Sequence, residues 1–259
     1  MRIRIASATV VAVSILASII GAAPTAQAEP VPVVAPVVLA VMPHDTAAYT
    51  EGLELDGSAL YEGTGLAGQS QLRELDPASG AVRRAVAIPD NYFGEGITVV
   101  GDSIWELTYR DGVAVEWDKA TLSPVREVPF TGEGWGLCSD GDRLISSEGS
   151  ARLRFLDPAT LAETGSVNVT RDGQPLVGLN ELECVDGQVW ANVWPTDTIV
   201  RINPATGAVT AVVDASGLWR DGVRNGGQVL SGIAHINGDE FLLTGKNWPS
   251  MFRVRIDPA

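Results

Sequence analysis

The sequence predicts an all-β protein, a five-bladed β-propeller whose last blade is completed by a strand from the N-terminal end. Three observations predict it. A hairpin turn recurs five times, at Asp56-Gly57, Gly101-Asp102, Asp140-Gly141, Asp186-Gly187 and Asn237-Gly238. A second turn follows each one, led by Asp76, Asp118, Asp157, Asn203 and Asp257, at separations of 42, 39, 46 and 54 residues. Such a period, with several short strands per unit, marks a propeller. Finally, the last unit stops at Asp257-Pro258-Ala259, one strand short. An unplaced apolar strand, Val37 to Val41, can pair there and leave no naked edge. Residues 33–42 are therefore expected to complete the fifth blade.

Met1 to Ala28 has the form of a secretory signal peptide. Arg2 and Arg4 supply the positive start, Val10 to Ile20 the apolar core, and Ala26-Gln27-Ala28 a small-x-small cleavage site. The apolar run is shorter than the ~20 residues that span a bilayer. Residues 29–36 carry three prolines and form an extended lead-in. Residues 37–259 make the propeller, the expected catalytic domain. Within each unit a short apolar strand leads to the glycine turn and an aromatic-rich second strand, as in Ser103-Ile104-Trp105-Glu106-Leu107-Thr108. A third alternating strand follows, such as Arg152-Leu153-Arg154-Phe155-Leu156, and the Asp-Pro turn starts a fourth. Two stretches exceed the repeat, Val169–Gly178 and Asp214–Gln228. Trp219 makes the second a candidate lid.

The formal net charge is −14, and loss of Arg2 and Arg4 with the leader takes it to −16. That charge excludes nucleic acid and anionic membranes as natural partners. The chain is expected to be exported, free of the membrane after processing, and monomeric. Cys138 and Cys184 follow the starts of first strands in neighbouring repeats. An oxidising destination favours a disulfide, and the sequence leaves open two buried thiols. His44 and His235 have no metal-ligand spacing, and His44 in Pro43-His44-Asp45 is expected to bond locally in a turn.

Propeller symmetry turns the repeat into a site. The entries of the first strands surround the axis and present Glu51, Glu95, Trp135, Asn180 and Ser231. The ends of the second strands supply Thr64, Tyr109, Glu148, Trp194 and Lys246. Apolar walls with a few convergent polar groups describe a small-molecule pocket. Glu95 lies between Gly94 and Gly96. Aromatic walls would desolvate it and raise its pKa, which suits general acid/base work. A glutamate accepting backbone hydrogen bonds in a turn is the competing reading. Lys246 can bind a carbonyl oxygen or serve an ion pair, and its charge argues against a divalent ion beside it. Asn180 can donate to a polarised carbonyl or cap a turn. Trp105, Trp117 and Trp190 suit the core. No nucleophile elbow, phosphate loop or dinucleotide fingerprint is present.

Specific stretches carry a resemblance. They are Tyr49-Thr50-Glu51-Gly52-Leu53, Phe93-Gly94-Glu95-Gly96-Ile97, Glu133-Gly134-Trp135-Gly136-Leu137, Leu179-Asn180-Glu181-Leu182, Trp190-Ala191-Asn192-Val193-Trp194 and Thr244-Gly245-Lys246-Asn247-Trp248. From about residue 38 to 259 the chain resembles the glutamine cyclotransferase family, the plant and bacterial type of glutaminyl-peptide cyclotransferase. The resemblance implies closure of N-terminal glutamine, in peptides or proteins, to pyroglutamate with release of ammonia. It implies Glu95 as catalytic acid/base. It also implies Asn180 and Lys246 as polar substrate-binding groups, Trp135 and Trp194 as pocket walls, and Tyr49 near the mouth. Glu51 and Tyr109 stand where the family usually has glutamine and tryptophan, so both bear on substrate preference and rate. No cofactor is required and no catalytic metal is implied; plant members can hold a structural calcium. The alternatives are a metal-dependent, lactonase-like hydrolase and a non-catalytic exported peptide-binding propeller.

Overall fold

A computed structural model describes residues 30–219 and 224–257. The expected signal peptide lies outside the described residues, as does the middle of the loop before the last blade. Among the described residues there are strands and no helix. The chain enters through β1 (Val33–Val34) and β2 (Val37–Pro43). Blade one is β3 (Thr50–Asp56), β4 (Ala59–Thr64), β5 (Gln71–Leu75) and β6 (Val82–Ala87). Blade two is β7 (Gly94–Val100), β8 (Ser103–Thr108), β9 (Val113–Asp118) and β10 (Ser123–Pro129). Blade three is β11 (Leu137–Ser139), β12 (Leu144–Ser146), β13 (Arg152–Leu156) and β14 (Glu163–Asn168). A small hairpin, β15 (Thr170–Arg171) and β16 (Gln174–Pro175), fills the first long connection. Blade four is β17 (Leu179–Val185), β18 (Gln188–Val193), β19 (Thr198–Ile202) and β20 (Val209–Asp214). Blade five is β21 (Leu230–Asn237), β22 (Glu240–Gly245) and β23 (Ser250–Arg255).

The fourth strand of blade five is β2, antiparallel to β23, with Val38 opposite Val254 and Met42 opposite Met251. Val33 and Val34 go elsewhere. They pair in parallel with Val212 and Val213 of β20. The lead-in thus straps blade four before the chain crosses to blade five, because Pro36 breaks the pairing between the two segments. His44 also departs from the sequence reading. Its ring is buried between blades: Nδ1 donates to the Trp248 carbonyl at 2.8 Å and Nε2 to Glu62 at 2.9 Å. Burial opposes the charged ring, but the Glu62 hydrogen bond and charge outweigh it and raise the pKa. The strand that closes the ring is latched to blade one at the same point.

Local chemistry explains the regularity. The glycines of the five hairpin turns, Gly57, Gly101, Gly141, Gly187 and Gly238, all have positive φ. In the second turns the leading side chain accepts backbone N–H groups two and three residues on. Asp76 takes Ala78 and Ser79, and Asp157 takes Ala159 and Thr160. The core lies in five apolar layers between adjacent blades. Trp117 fills the layer between blades one and two, Trp105 the next, and Trp190 that between four and five. Cys138 and Cys184 form a disulfide across blades three and four, with Cα atoms 5.5 Å apart, inside the normal span. Trp219 stacks edge-on against Trp248 at 5.5 Å and packs on the layer between blades four and five, so it serves that layer rather than a lid.

The innermost strands touch backbone to backbone. A Cβ on Gly96 would lie 2.5 Å from the Trp135 carbonyl oxygen, and the Gly96 N–H donates to that same oxygen at 2.7 Å. Gly96→Ala is expected to destabilise by about 1–3 kcal/mol through overpacking, read as a fall in Tm. Glu106 is fully buried with no well-formed hydrogen bond; the Trp117 indole is its one nearby donor, and burial outweighs it and pushes the pKa to about 8. Its neutral form costs little and its charge costs much. The folded protein therefore holds a proton that the unfolded chain releases near ~4.3, and stability drains away as pH rises from there towards 8. Glu106→Gln should raise stability at pH 8 over that at pH 5 by about 1–3 kcal/mol, measured by denaturant unfolding at both pH values.

Candidate active site

The mouth of the axis holds a cavity of about 270 Å³ lined by Tyr49, Glu51, Phe93, Glu95, Tyr109, Trp135, Asn180, Trp194 and Lys246. All eight site residues read from the sequence meet there. Phe93 joins them as a wall the sequence reading passed over. Of the other residues read as convergent, Thr64, Glu148 and Ser231 do not line it. The Thr64 hydroxyl is used inside its blade, accepting from the Gln71 N–H, and Glu148 turns to Ser150 and Arg152.

The rings form an arc. Tyr49 meets Phe93 edge-on at 6.2 Å, Phe93 meets Tyr109 at 5.8 Å, Tyr109 meets Trp135 at 6.5 Å, and Trp135 meets Trp194 edge-on at 5.9 Å. Lys246 closes the arc from blade five, with Nζ 4.7 Å from the centre of the Tyr49 ring. Trp194 sits at the rim and is 45% exposed. Trp135 is held from two sides. Its indole N–H donates to Glu133 at 3.1 Å, and Gly149 lies flat beneath the ring, where a Cβ would come within 2.6 Å. Glu133 is itself fixed by Arg110, whose guanidinium lies 4.5 Å over the Tyr109 ring. Gly65 makes room for Phe93 in the same way. These glycines were invisible as site residues, because the complement of a ring has no sequence signature.

The polar groups lie beneath the rings. Glu51, Glu95, Asn180 and Lys246 are all buried. Lys246 Nζ donates to Glu51 Oε2 at 2.5 Å. Burial pushes the Glu95 carboxyl well above the usual range, and the neighbouring Glu51 charge adds to the rise. The Asn180 backbone is pinned: its carbonyl accepts the Ser147 hydroxyl at 2.6 Å. Its side-chain Nδ2 is buried with no hydrogen-bond partner. A buried amide donor without a partner, on the wall of a cavity, is a donor kept for a ligand. Further along the innermost strands Glu54, Glu181 and Glu183 accept backbone N–H groups of Val99, Leu53 and His235. Among the described residues, no three His, Cys, Asp or Glu side chains group to hold a metal ion.

A propeller whose axial pocket brings a buried glutamate of raised pKa together with a free amide donor and a ring of aromatic walls has the make-up of an enzyme site. Comparison with known proteins agrees. The glutamine cyclotransferase family model matches residues 10–256. A glutaminyl-peptide cyclotransferase of Arabidopsis thaliana is 36% identical over 230 residues, covering 86% of this chain and 71% of that protein. The crystal structure of Myxococcus xanthus glutaminyl cyclase superposes with a TM-score of 0.83 at 36% identity, covering 89% of this chain and all of the other. The chain belongs to the glutamine cyclotransferase family.

Removing the free donor tests the pocket directly. Asn180→Ala should lower kcat about 10²–10³-fold with a smaller change in KM, the mark of a contact strongest in the transition state. Steady-state ammonia release on a peptide with N-terminal glutamine measures both.

Proposed function

We propose that this pocket closes the N-terminal glutamine of a peptide or protein to pyroglutamate, with Glu95 as the acid/base group. The observation that carries the reading is the meeting of buried Glu95 with the unpartnered Asn180 amide in one aromatic-walled cavity. The free α-amine of the substrate, pKa ~7.7–8.0, attacks its own γ-amide carbon. Glu95 takes the proton the amine loses as the ring C–N bond forms. It returns that proton to the γ-nitrogen as the old C–N bond breaks, and ammonia leaves. Atoms and protons balance with no co-reactant. Asn180 donates to the oxyanion, and the Lys246 charge supports it from across the pocket. Phe93, Tyr109, Trp135 and Trp194 hold the side chain bent for five-membered closure, the orientation part of catalysis.

The Lys246 ammonium beside the carboxylates repels a divalent ion and so disfavours the metal-dependent hydrolase. The reading includes a chain that is exported, loses residues 1–28 and acts as a monomer on peptide N-termini. The leader-like residues and the net charge of −14 support that part.

Glu95→Gln should lower kcat by at least about 10³-fold with an unchanged circular dichroism spectrum, and wild-type activity should persist in chelator. The base must be ionised to take the amine proton, and its pKa is raised. Activity therefore appears as pH rises, and the acid limb of kcat/KM should lie well above the ~4.3 of an ordinary glutamate. Full activity in Glu95→Gln, or an acid limb in the ordinary range, would remove Glu95 from the role.

A further inference from the structure

Glu51 and Glu95 lie in the same cavity, both out of solvent, with the Lys246 ammonium between blades five and one beside them. Burial raises the pKa of both carboxyl groups, the Glu51 charge raises Glu95 further, and Lys246 draws Glu51 back down. Two buried carboxylates next to a single ammonium hold one negative charge far more readily than two. Contact decides where it sits. Lys246 Nζ touches Glu51 at 2.5 Å, which leaves the proton to Glu95.

Resting on the assignment of Glu95 as acid/base group, we propose that Glu51 is a positioning residue that holds the Lys246 ammonium to itself and away from Glu95, so that Glu95 remains a neutral carboxyl before substrate binds. The charged and titratable groups that face Glu95 are Glu51 and Tyr49 from blade one, Lys246 from blade five and Glu133 from the loop before blade three. Glu51 and Glu133 disfavour its ionised form and Lys246 favours it. Glu133 is committed to Arg110 and the Trp135 indole. Glu51 is thus the group that sets the balance: without its charge, Lys246 turns to Glu95.

The arrangement has a use in the reaction. A carboxylate left free in this pocket would pair with the substrate's ammonium and hold it protonated, and so unreactive. A Glu95 whose pKa is raised by burial and by Glu51 loses its proton nearer to the range where the amine, pKa ~7.7–8.0, becomes a free base than an ordinary glutamate would. Base and nucleophile then become available together.

The test is the mature enzyme carrying Glu51→Gln, with kcat/KM followed against pH on a peptide with N-terminal glutamine. Infrared titration of the free enzyme runs beside it, and the carboxyl band that disappears in Glu95→Gln reports Glu95 itself. The limb and the band should both move to lower pH by about one unit or more, a tenfold change in the ionised fraction on the acid side. Glu51→Asp, which keeps the charge, should stay near the wild type. Glu51→Met removes the charge with a different shape and must move both readouts in the same direction as Glu51→Gln. A limb and band that stay in place, or move up, in folded protein overturn the proposal. Loss of ammonia release in the wild type would instead sink the cyclotransferase reading, and the infrared band would still decide the Glu51–Glu95 relation.

Discussion

Three of the five innermost strands, those of blades one to three, approach their neighbours so closely that glycine is required where the backbones meet. Gly52 of blade one abuts the Ile97 backbone, Gly96 the Trp135 carbonyl, and Gly136 the Asn180 carbonyl. The residue before each glycine is then fixed at the rim of the axis, and those residues are Glu51, Glu95 and Trp135. The tight packing that closes the ring is thus the same feature that gathers the site. Blade four breaks the rule. It has Glu181 where the others have glycine, and the longer side chain reaches the Leu53 N–H of blade one at 3.4 Å. The gap a glycine would close is bridged there by a carboxyl group.

Burying so many carboxyl groups in an acidic protein is costly, and the molecule meets the cost in two ways. Glu62 is surrounded by donors: His44 at 2.9 Å, the Thr50 hydroxyl at 2.7 Å and Arg73 at 3.6 Å. Glu106 has only the Trp117 indole nearby, too little to offset its burial, and its pKa rises to about 8. Glu51 and Glu95 use both within one cavity, one paired with an ammonium and the other with its pKa raised by burial and by its neighbour. That pairing of opposite states in adjacent like residues is how a site acquires an acid/base group at neutral pH, since neither solution alone leaves a proton free to move.

Much of this was legible in the sequence because period carries position. Once Asp76, Asp118, Asp157 and Asn203 mark equal places in successive units, the residues opening each first strand must share a ring around the axis. Glu95, Asn180 and Trp135 follow without any coordinates. Interactions that do not repeat left no such trace. His44 bonds to Trp248, 204 positions away, and nothing in Pro43-His44-Asp45 announces it. Val33 and Val34 look like any apolar pair, and only the closed ring shows that β20 offers them an open edge. Trp219 was misjudged because an aromatic in a long loop looks the same whether it covers a pocket or fills a layer. Gly149 and Gly65 act through the atoms they lack.

The site is also rigid for a reason that lies in the fold. In four of the blades the end of the second strand is tied to the entry of the first: Gly65 N–H to the Tyr49 carbonyl, Tyr109 to Phe93, Trp194 to Gly178, Lys246 to Val229, at 2.7–3.0 Å. The backbone of Tyr109, Trp194 and Lys246 therefore hangs on main-chain hydrogen bonds, while the Trp135 ring is held by Glu133 and the absence of a side chain at Gly149. Ring closure of glutamine asks for a bent side chain, a placed proton acceptor and a donor at the oxyanion, and it gains most from groups that need not reorganise. Main-chain ties supply that. They also leave the side chains at the rim free to differ without disturbing the ladder beneath them. Glu51 and Tyr109 can thus be replaced while the propeller stays the same, because the ladder beneath them is built from the main chain.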